Sequence, residues 1–162
     1  MLMLLLALQC VAASAGRVRT DSVKSQVLGA WVKYNVYLPD GFGKAERMYP
    51  VVYLLHGLSD DYTAWLDKGR MNLVADELIA SGEADEMVIV MPNAGSSDVH
   101  NTPCGYFNVE GWNYEDFFFN EFMPQVEEKY RIVSEKGHRA VMGLSMGGGG
   151  STPYCQRHPE VF

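Results

Sequence analysis

The sequence predicts an α/β fold, a mostly parallel β-sheet flanked by helices. Short apolar runs rich in β-forming residues alternate along the chain with segments whose apolar residues recur at helical spacing. Several of these runs carry no polar residue on either face, which is typical of strands buried on both sides of a parallel sheet. No linker-like break divides residues 16–162, so we expect one domain, and its length allows a substantial core.

The predicted strands follow from two kinds of apolar pattern. Apolar and polar residues nearly alternate over Trp31–Leu38, which predicts a half-buried strand. Continuous apolar runs at Val51–Leu55, Met87–Met91 and Ala140–Leu144 predict central strands, the second of which is closed by Pro92.

Three helices are predicted between and after these strands. The first carries apolar residues at helical spacing from Met71 to Ile79, with Gly82 as its stop. The second is capped by Asn113, and Pro124 inside its pattern predicts a kink or a restart. The third begins after Ser145 and ends near His158. The long loop over residues 93–113 is of a length that is usually functional.

The charge balance excludes several classes of function. Thirteen basic residues against 20 acidic ones give a net charge of −7, and the basic residues form no cluster. Such a chain is a poor ligand for nucleic acid and for an anionic membrane surface. Three cysteines without a CxxC pair argue against a zinc ribbon or a redox motif. No His, Cys or Asp cluster has metal-ligand spacing, so we expect neither metal nor cofactor.

Residues 1–15 differ from the rest of the chain. An apolar run too short to span a membrane ends in the small residues Ala13–Ala15, which predicts a cleaved signal peptide and a secreted or periplasmic protein without membrane association after cleavage. The alternative is a buried N-terminal helix, because no Lys or Arg precedes the run. Export would allow a disulfide between Cys104 and Cys155, and two separate thiols are an equal alternative.

The chemistry is carried by the pentapeptide Gly143–Gly147, which reads GLSMG. An apolar strand enters it and a helical stretch leaves it, as a nucleophile elbow requires. Glycine is needed on both sides because side chains there would clash with the adjacent strand and helix. Ser145 is then the candidate nucleophile, and the backbone N–H groups of Met146 and Leu58 are the candidate oxyanion donors. The alternative is a glycine-rich helix start with a capping serine.

The three glycines that follow the pentapeptide, Gly148–Gly150, also have two interpretations. Each glycine inside a helix costs about 1 kcal/mol relative to alanine. Such a run indicates either close packing of the helix on the sheet or a frayed first turn.

Together these motifs resemble the esterase D / Putative esterase family of α/β-hydrolases. The matching stretches are residues 49–58 (YPVVYLLHGL), Trp65, residues 91–93 (MPN), residues 114–116 (YED) and residues 143–148 (GLSMGG). That family includes feruloyl, acetyl-xylan and tributyrin-type esterases, S-formylglutathione hydrolases and mycolyltransferases. The resemblance covers about residues 32–162. It implies the α/β-hydrolase fold, Ser145 as nucleophile and the two N–H groups as oxyanion donors.

The remaining members of a catalytic triad are not evident. In this fold the acid and then the histidine follow the serine in the chain. His158 and His138 each lie roughly 20 Å from Ser145 at the rise of a helix or a strand. His56 is better interpreted as a structural residue. His100 precedes Ser145 in the chain, which is the wrong order for this fold. We therefore expect an N-terminal portion of a longer enzyme that lacks the triad Asp and His and is inactive as given.

The expected activity is hydrolysis of carboxylic esters through an acyl-enzyme on Ser145, with acetyl or feruloyl esters of extracellular carbohydrate as substrates. Tyr106 and Trp112 on the long loop could stack on sugar or aryl rings, and ordinary loop packing is the alternative. Two other functions stay open, an acyltransferase of the mycolyl type and a non-catalytic carbohydrate-binding remnant of the fold. Oligomeric state does not follow from the sequence.

Overall fold

The computed structural model describes residues 15–44, 46–95 and 104–162. The strands of its main sheet are β1 Arg17–Lys24, β2 Trp31–Leu38, β3 Val51–Leu55, β4 Val88–Pro92 and β7 Arg139–Gly143, and a small hairpin pairs β5 Asn108–Val109 with β6 Trp112–Asn113. The strand order in the main sheet is β1-β2-β4-β3-β7. The predicted signal peptide and His100 fall on residues outside these ranges, apart from Ala15.

The helices alternate with the strands as predicted. They are α1 Ala64–Asp67, α2 Met71–Ser81, α3 Tyr114–Phe117, α4 Met123–Lys129 and α5 Met146–Arg157, with a π-helical turn at Phe118–Phe122 and a 3₁₀ turn at Lys136–His138. Within the described ranges no helix is both long and apolar enough to cross a bilayer.

The described sheet is mixed. β3 runs parallel to both β4 and β7, which is the parallel arrangement that the apolar runs predicted. β2 joins β4 antiparallel, and β1 joins β2 antiparallel from Arg17 to Lys24. The sequence did not predict β1 because five of its eight residues are exposed and four are charged, a composition suited to an edge strand rather than to a core.

Glycine and proline end or restart helices where the sequence predicted. Gly82 adopts the left-handed conformation (φ 77°) and caps the C-terminus of α2. Pro124 lies in the first turn of α4, directly after the π-helical turn, so the regular α-helix is interrupted where the proline predicted a kink or a restart. Asn113 occupies the N-cap position of α3, but its side chain makes no capping hydrogen bond.

Two apolar layers cover the two faces of the sheet. One is rich in aromatic rings and includes Tyr53, Phe118 and Phe122, with α5 contributing Tyr154. The other packs α1 and α2 onto the opposite face around Leu54 and Ile89. β7 is the last strand of this sheet, so one of its edges has no partner strand among the described residues. The carboxyl ends of β3, β4 and β7 meet at one edge of the sheet, where the candidate site lies.

Candidate active site

Ser145 occupies a sharp turn between β7 and α5. It has φ 54° and ψ −113°, a conformation that side-chain-bearing residues rarely adopt and that costs about 1–3 kcal/mol. A Cβ on Gly143 would lie 2.5 Å from the carbonyl carbon of Gly147, and a Cβ on Gly147 would lie 2.3 Å from the carbonyl oxygen of Leu55. Both flanking glycines are therefore required by backbone contacts, for the reason that the sequence suggested. The serine itself is exposed.

The glycines after the elbow belong to a regular helix. A Cβ on Gly150 would lie 2.9 Å from the ring of Tyr106, and one on Gly148 would lie 3.3 Å from the carbonyl oxygen of Gly143. A Cβ on Gly149 would meet nothing within 4 Å. Close packing, rather than a frayed first turn, accounts for two of these three glycines.

One predicted oxyanion donor directly follows this serine in the chain, and the other belongs to the loop after β3. Met146 is the first residue of α5, and Leu58 follows Gly57 at the end of β3. A Cβ on Gly57 would lie 3.8 Å from the Cβ of Ser145, so the two loops are in close contact. Within the described ranges neither N–H group donates a hydrogen bond. Unpaired donors beside a serine are the arrangement that would stabilise an oxyanion.

His56 is buried beneath this loop, with 2% of its surface exposed. Its Nδ1 lies 2.8 Å from the carbonyl oxygen of Gly57, and its Nε2 accepts a hydrogen bond of 2.9 Å from the N–H of Ala94. Tyr106 donates its hydroxyl to the carbonyl oxygen of His56 at 3.1 Å. Burial lowers the pKa of His56 because it disfavours the charged imidazolium.

A small cleft of about 190 Å³ opens beside the elbow. Gly57 and Leu144, next to the serine, line it together with Trp65, whose indole N–H donates to the carbonyl oxygen of Leu55 at 3.1 Å. An ion pair between Lys68 and Asp60 closes its rim. The hydrogen bond that Lys68 donates to the Asp60 carboxylate raises the pKa of Lys68, which keeps that side chain charged.

The other described histidines lie away from the serine. His138 precedes β7 at the opposite end of the strand, 3.8 Å from Glu135. His158 follows α5, with its Nε2 3.1 Å from Glu115 and its ring on Phe119. His56 is occupied by two backbone groups. Within the described residues, therefore, no histidine is placed to take a proton from Ser145.

The two predicted substrate-binding residues, Tyr106 and Trp112, differ from each other in how deeply they are buried. Tyr106 is 1% exposed, and its ring packs against α5, so its burial favours the alternative of ordinary packing. Trp112 is half-buried, stacks on Tyr114 and donates its indole N–H to the carbonyl oxygen of Gly105. Cys104 and Cys155 are both free thiols in this structure.

Tyr154 supports the site in a way that sequence reasoning missed. Its hydroxyl donates to the carbonyl oxygen of Tyr106 at 2.5 Å, so that α5, Tyr106 and His56 are joined in series. Tyrosines on a long loop and on a helix carry no pattern that pairs them. Only the glycine at position 150, which makes room for the Tyr106 ring, was a signal in the sequence.

Among the described residues, no three or more His, Cys, Asp or Glu side chains are grouped so that they could hold a metal ion.

A strained serine at a strand–helix junction, on a sheet with helices on both faces, defines an α/β-hydrolase. Residues 25–162 match the family model described as Putative esterase. The chain belongs to the Putative esterase family, as its motifs indicated.

Individual relatives agree with this family. The chain is 32% identical over 151 residues to an endo-1,4-beta-xylanase/feruloyl esterase of Xylanibacter ruminicola, covering 91% of this chain and 20% of that protein. It is 34% identical over 147 residues to the diacylglycerol acyltransferase/mycolyltransferase Ag85B of Mycobacterium leprae, covering 86% of this chain and 40% of that protein. A solved ferulic acid esterase matches with a TM-score of 0.89 and 48% identity, over 91% of this chain and 56% of that one. The chain thus spans between a fifth and about half of these relatives.

Proposed function

We propose that this chain carries the nucleophile and the oxyanion site of a serine carboxylester hydrolase acting on feruloyl or acetyl esters of carbohydrate. The observation that carries the proposal is the strained, exposed Ser145 in contact with the loop of Gly57, where the N–H groups of Leu58 and Met146 donate no hydrogen bond to any described residue. A relative and a solved structure, both named for feruloyl ester cleavage, support the acyl group.

In the proposed reaction the Oγ of Ser145 attacks the ester carbonyl carbon. The negative charge that develops on the carbonyl oxygen is taken up by the N–H groups of Leu58 and Met146. The bond to the alcohol oxygen breaks, and the proton lost by Ser145 passes through a histidine base to that alcohol. Water then attacks the acyl-enzyme and releases the carboxylic acid and the free serine. No step calls for a metal or a cofactor.

The histidine and its acid partner are proposed to come from beyond Phe162. The described histidines are engaged elsewhere, with Glu135, with Glu115 and with the backbone around the oxyanion loop. In this fold both partners follow the serine in the chain. Sequencing the coding region downstream of the Phe162 codon tests this directly. An open frame with an Asp or Glu and a later His is expected, and an immediate stop codon would contradict the proposal.

The activity itself is tested with the full-length protein. Methyl ferulate and acetylated xylan should be hydrolysed, Ser145→Ala should lose nearly all of that activity, and a quenched reaction should carry the acyl group on Ser145. Residual turnover in such a variant comes only from binding and oxyanion stabilisation. Undiminished hydrolysis by Ser145→Ala would refute the assigned nucleophile.

Two alternatives are separated by the same preparation. The mycolyltransferase relative favours acyl transfer to a sugar, so trehalose should be supplied as an acceptor and the ratio of transfer to hydrolysis measured. Binding of xylan oligosaccharides without turnover of any ester would favour the non-catalytic remnant.

We also propose that the protein is secreted, because residues 1–15 resemble a signal peptide. N-terminal sequencing of the mature protein, expected to begin near Gly16, checks this.

A further inference from the structure

The two ring nitrogens of His56 have defined and opposite roles. A backbone N–H can only donate, so the Nε2 that faces Ala94 must carry a lone pair. The neutral ring then bears its proton on Nδ1, which donates to the carbonyl oxygen of Gly57. The contacts therefore select one tautomer of a neutral imidazole.

The carbonyl that His56 holds shares a peptide unit with an oxyanion donor. The unit joining Gly57 to Leu58 is planar and trans, so its C=O and its N–H point in opposite directions. A hydrogen bond that holds the Gly57 oxygen on one side of the loop thereby turns the Leu58 N–H to the other side. The Asp60 N–H also reaches this oxygen, at the longer distance of 3.3 Å.

We propose that His56 is a positioning residue, which aims the Leu58 N–H at the oxyanion by holding the carbonyl of the same peptide unit. The proposal rests on the proposed esterase function. The imidazole also ties this loop to the chain after β4 through Ala94, and Tyr106 holds its carbonyl from the side of α5. Three segments therefore meet on one buried ring.

Burial and the neighbouring carboxylates act on the pKa of the ring in opposite senses. Asp60 and Asp61 favour the imidazolium, and Lys68 pairs with Asp60 at the rim of the neighbouring cleft. Tyr106 faces the ring from the third segment, and burial of its hydroxyl keeps it protonated. Burial of the ring prevails and lowers the pKa of His56. Protonation of Nε2 would place two donors opposite each other at Ala94.

Two substitutions separate the two hydrogen bonds. In His56→Asn the amide nitrogen replaces Nδ1 and can still donate to Gly57, whereas in His56→Gln the amide oxygen replaces Nε2 and can still accept from Ala94. Removing an oxyanion donor typically costs 10²–10³ in kcat. In the full-length enzyme we expect His56→Gln to lower kcat by about 10–100-fold with KM changed less than about threefold. His56→Asn should retain at least about tenfold more kcat than His56→Gln. His138→Gln, at an exposed position, is the matched control and should behave as wild type.

Equal losses in the two variants would overturn the proposal, since a ring that only fills space would not distinguish them. Nitrogen-15 NMR of the wild-type imidazole gives a second test that needs neither turnover nor a variant, because it reports which nitrogen is protonated. A proton on Nε2 at neutral pH would overturn the proposal even if His56→Gln failed to fold.

The same variants also separate a failure of the positioning role from a failure of the proposed esterase function. If the wild-type enzyme hydrolyses no ester, the amide resonance of Leu58 decides about the positioning role. It should move in His56→Gln and stay near its wild-type position in His56→Asn. An unchanged Leu58 resonance in both variants would refute the positioning role.

Discussion

Gly147→Ala should disrupt both the stability and the candidate active site of this protein. The added Cβ would lie 2.3 Å from the carbonyl oxygen of Leu55, about 1 Å inside ordinary van der Waals contact. Neither atom can rotate away, because one belongs to the β3 backbone and the other is fixed to the α5 backbone. The helix must therefore move off the strand. We expect a loss of about 3 kcal/mol or more in the free energy of unfolding, at or above the upper end of ordinary overpacking costs.

The measurement is urea unfolding of the full-length protein, followed by circular dichroism, with ester hydrolysis measured on the folded variant. A shift of about 1 Å at the elbow can cost on the order of 10²-fold in rate. Gly149→Ala is the matched control, since its Cβ would meet nothing within 4 Å in the same helix. That variant should be as stable as wild type or up to about 1 kcal/mol more stable. A Gly147→Ala protein with wild-type stability and activity would refute the reasoning.

Three further predictions concern buried polar groups. Arg139→Leu should destabilise the fold by about 3–5 kcal/mol, because it leaves the buried carboxylate of Glu127 without its bidentate partner, and the double variant with Glu127→Leu should recover most of that loss in urea unfolding. Tyr106→Phe should cost about 1–3 kcal/mol by orphaning the buried carbonyl of His56, and it should change kcat more than KM if Tyr106 supports the loop rather than binding substrate. His56→Asn should flatten the pH dependence of stability on the acid side of neutrality, as measured by thermal unfolding.

The sign of the His56 effect follows from proton binding. In the folded protein its pKa lies below the ordinary value of 6.5, so the unfolded chain takes up the proton first as the pH falls. Wild-type stability should therefore decrease as the pH falls from about 6.5 towards the folded pKa, and His56 should contribute no pH dependence above that window. If the stability of His56→Asn fell with decreasing pH as steeply as that of wild type, the pH dependence would belong to other groups.

For the pair of Glu127 and Arg139, a double variant no more stable than Arg139→Leu would contradict the prediction.

Much of the fold could be predicted because the strands that build the site are apolar on both faces. Val51–Leu55 forms β3 with the bounds that its composition suggested, and the Ala140–Leu144 run differs from β7 by one residue at each end. β1 could not be predicted in the same way, because an edge strand needs only one partner and can be charged. Its existence depends on pairing with β2 over eight residues.

The pentapeptide was enough to predict the elbow, but only one of its two glycine requirements is local. A Cβ on Gly143 would clash with Gly147 of the same turn, whereas a Cβ on Gly147 would clash with Leu55 of β3, a contact that only the tertiary structure creates. The environment of His56 depended on the tertiary structure. Its partners are Gly57, Ala94 and Tyr106, of which two are 38 and 50 residues away, and backbone groups leave no mark on the sequence. The protonation state of His56 and its proposed role depend on those groups, and only folding brings them to the buried ring.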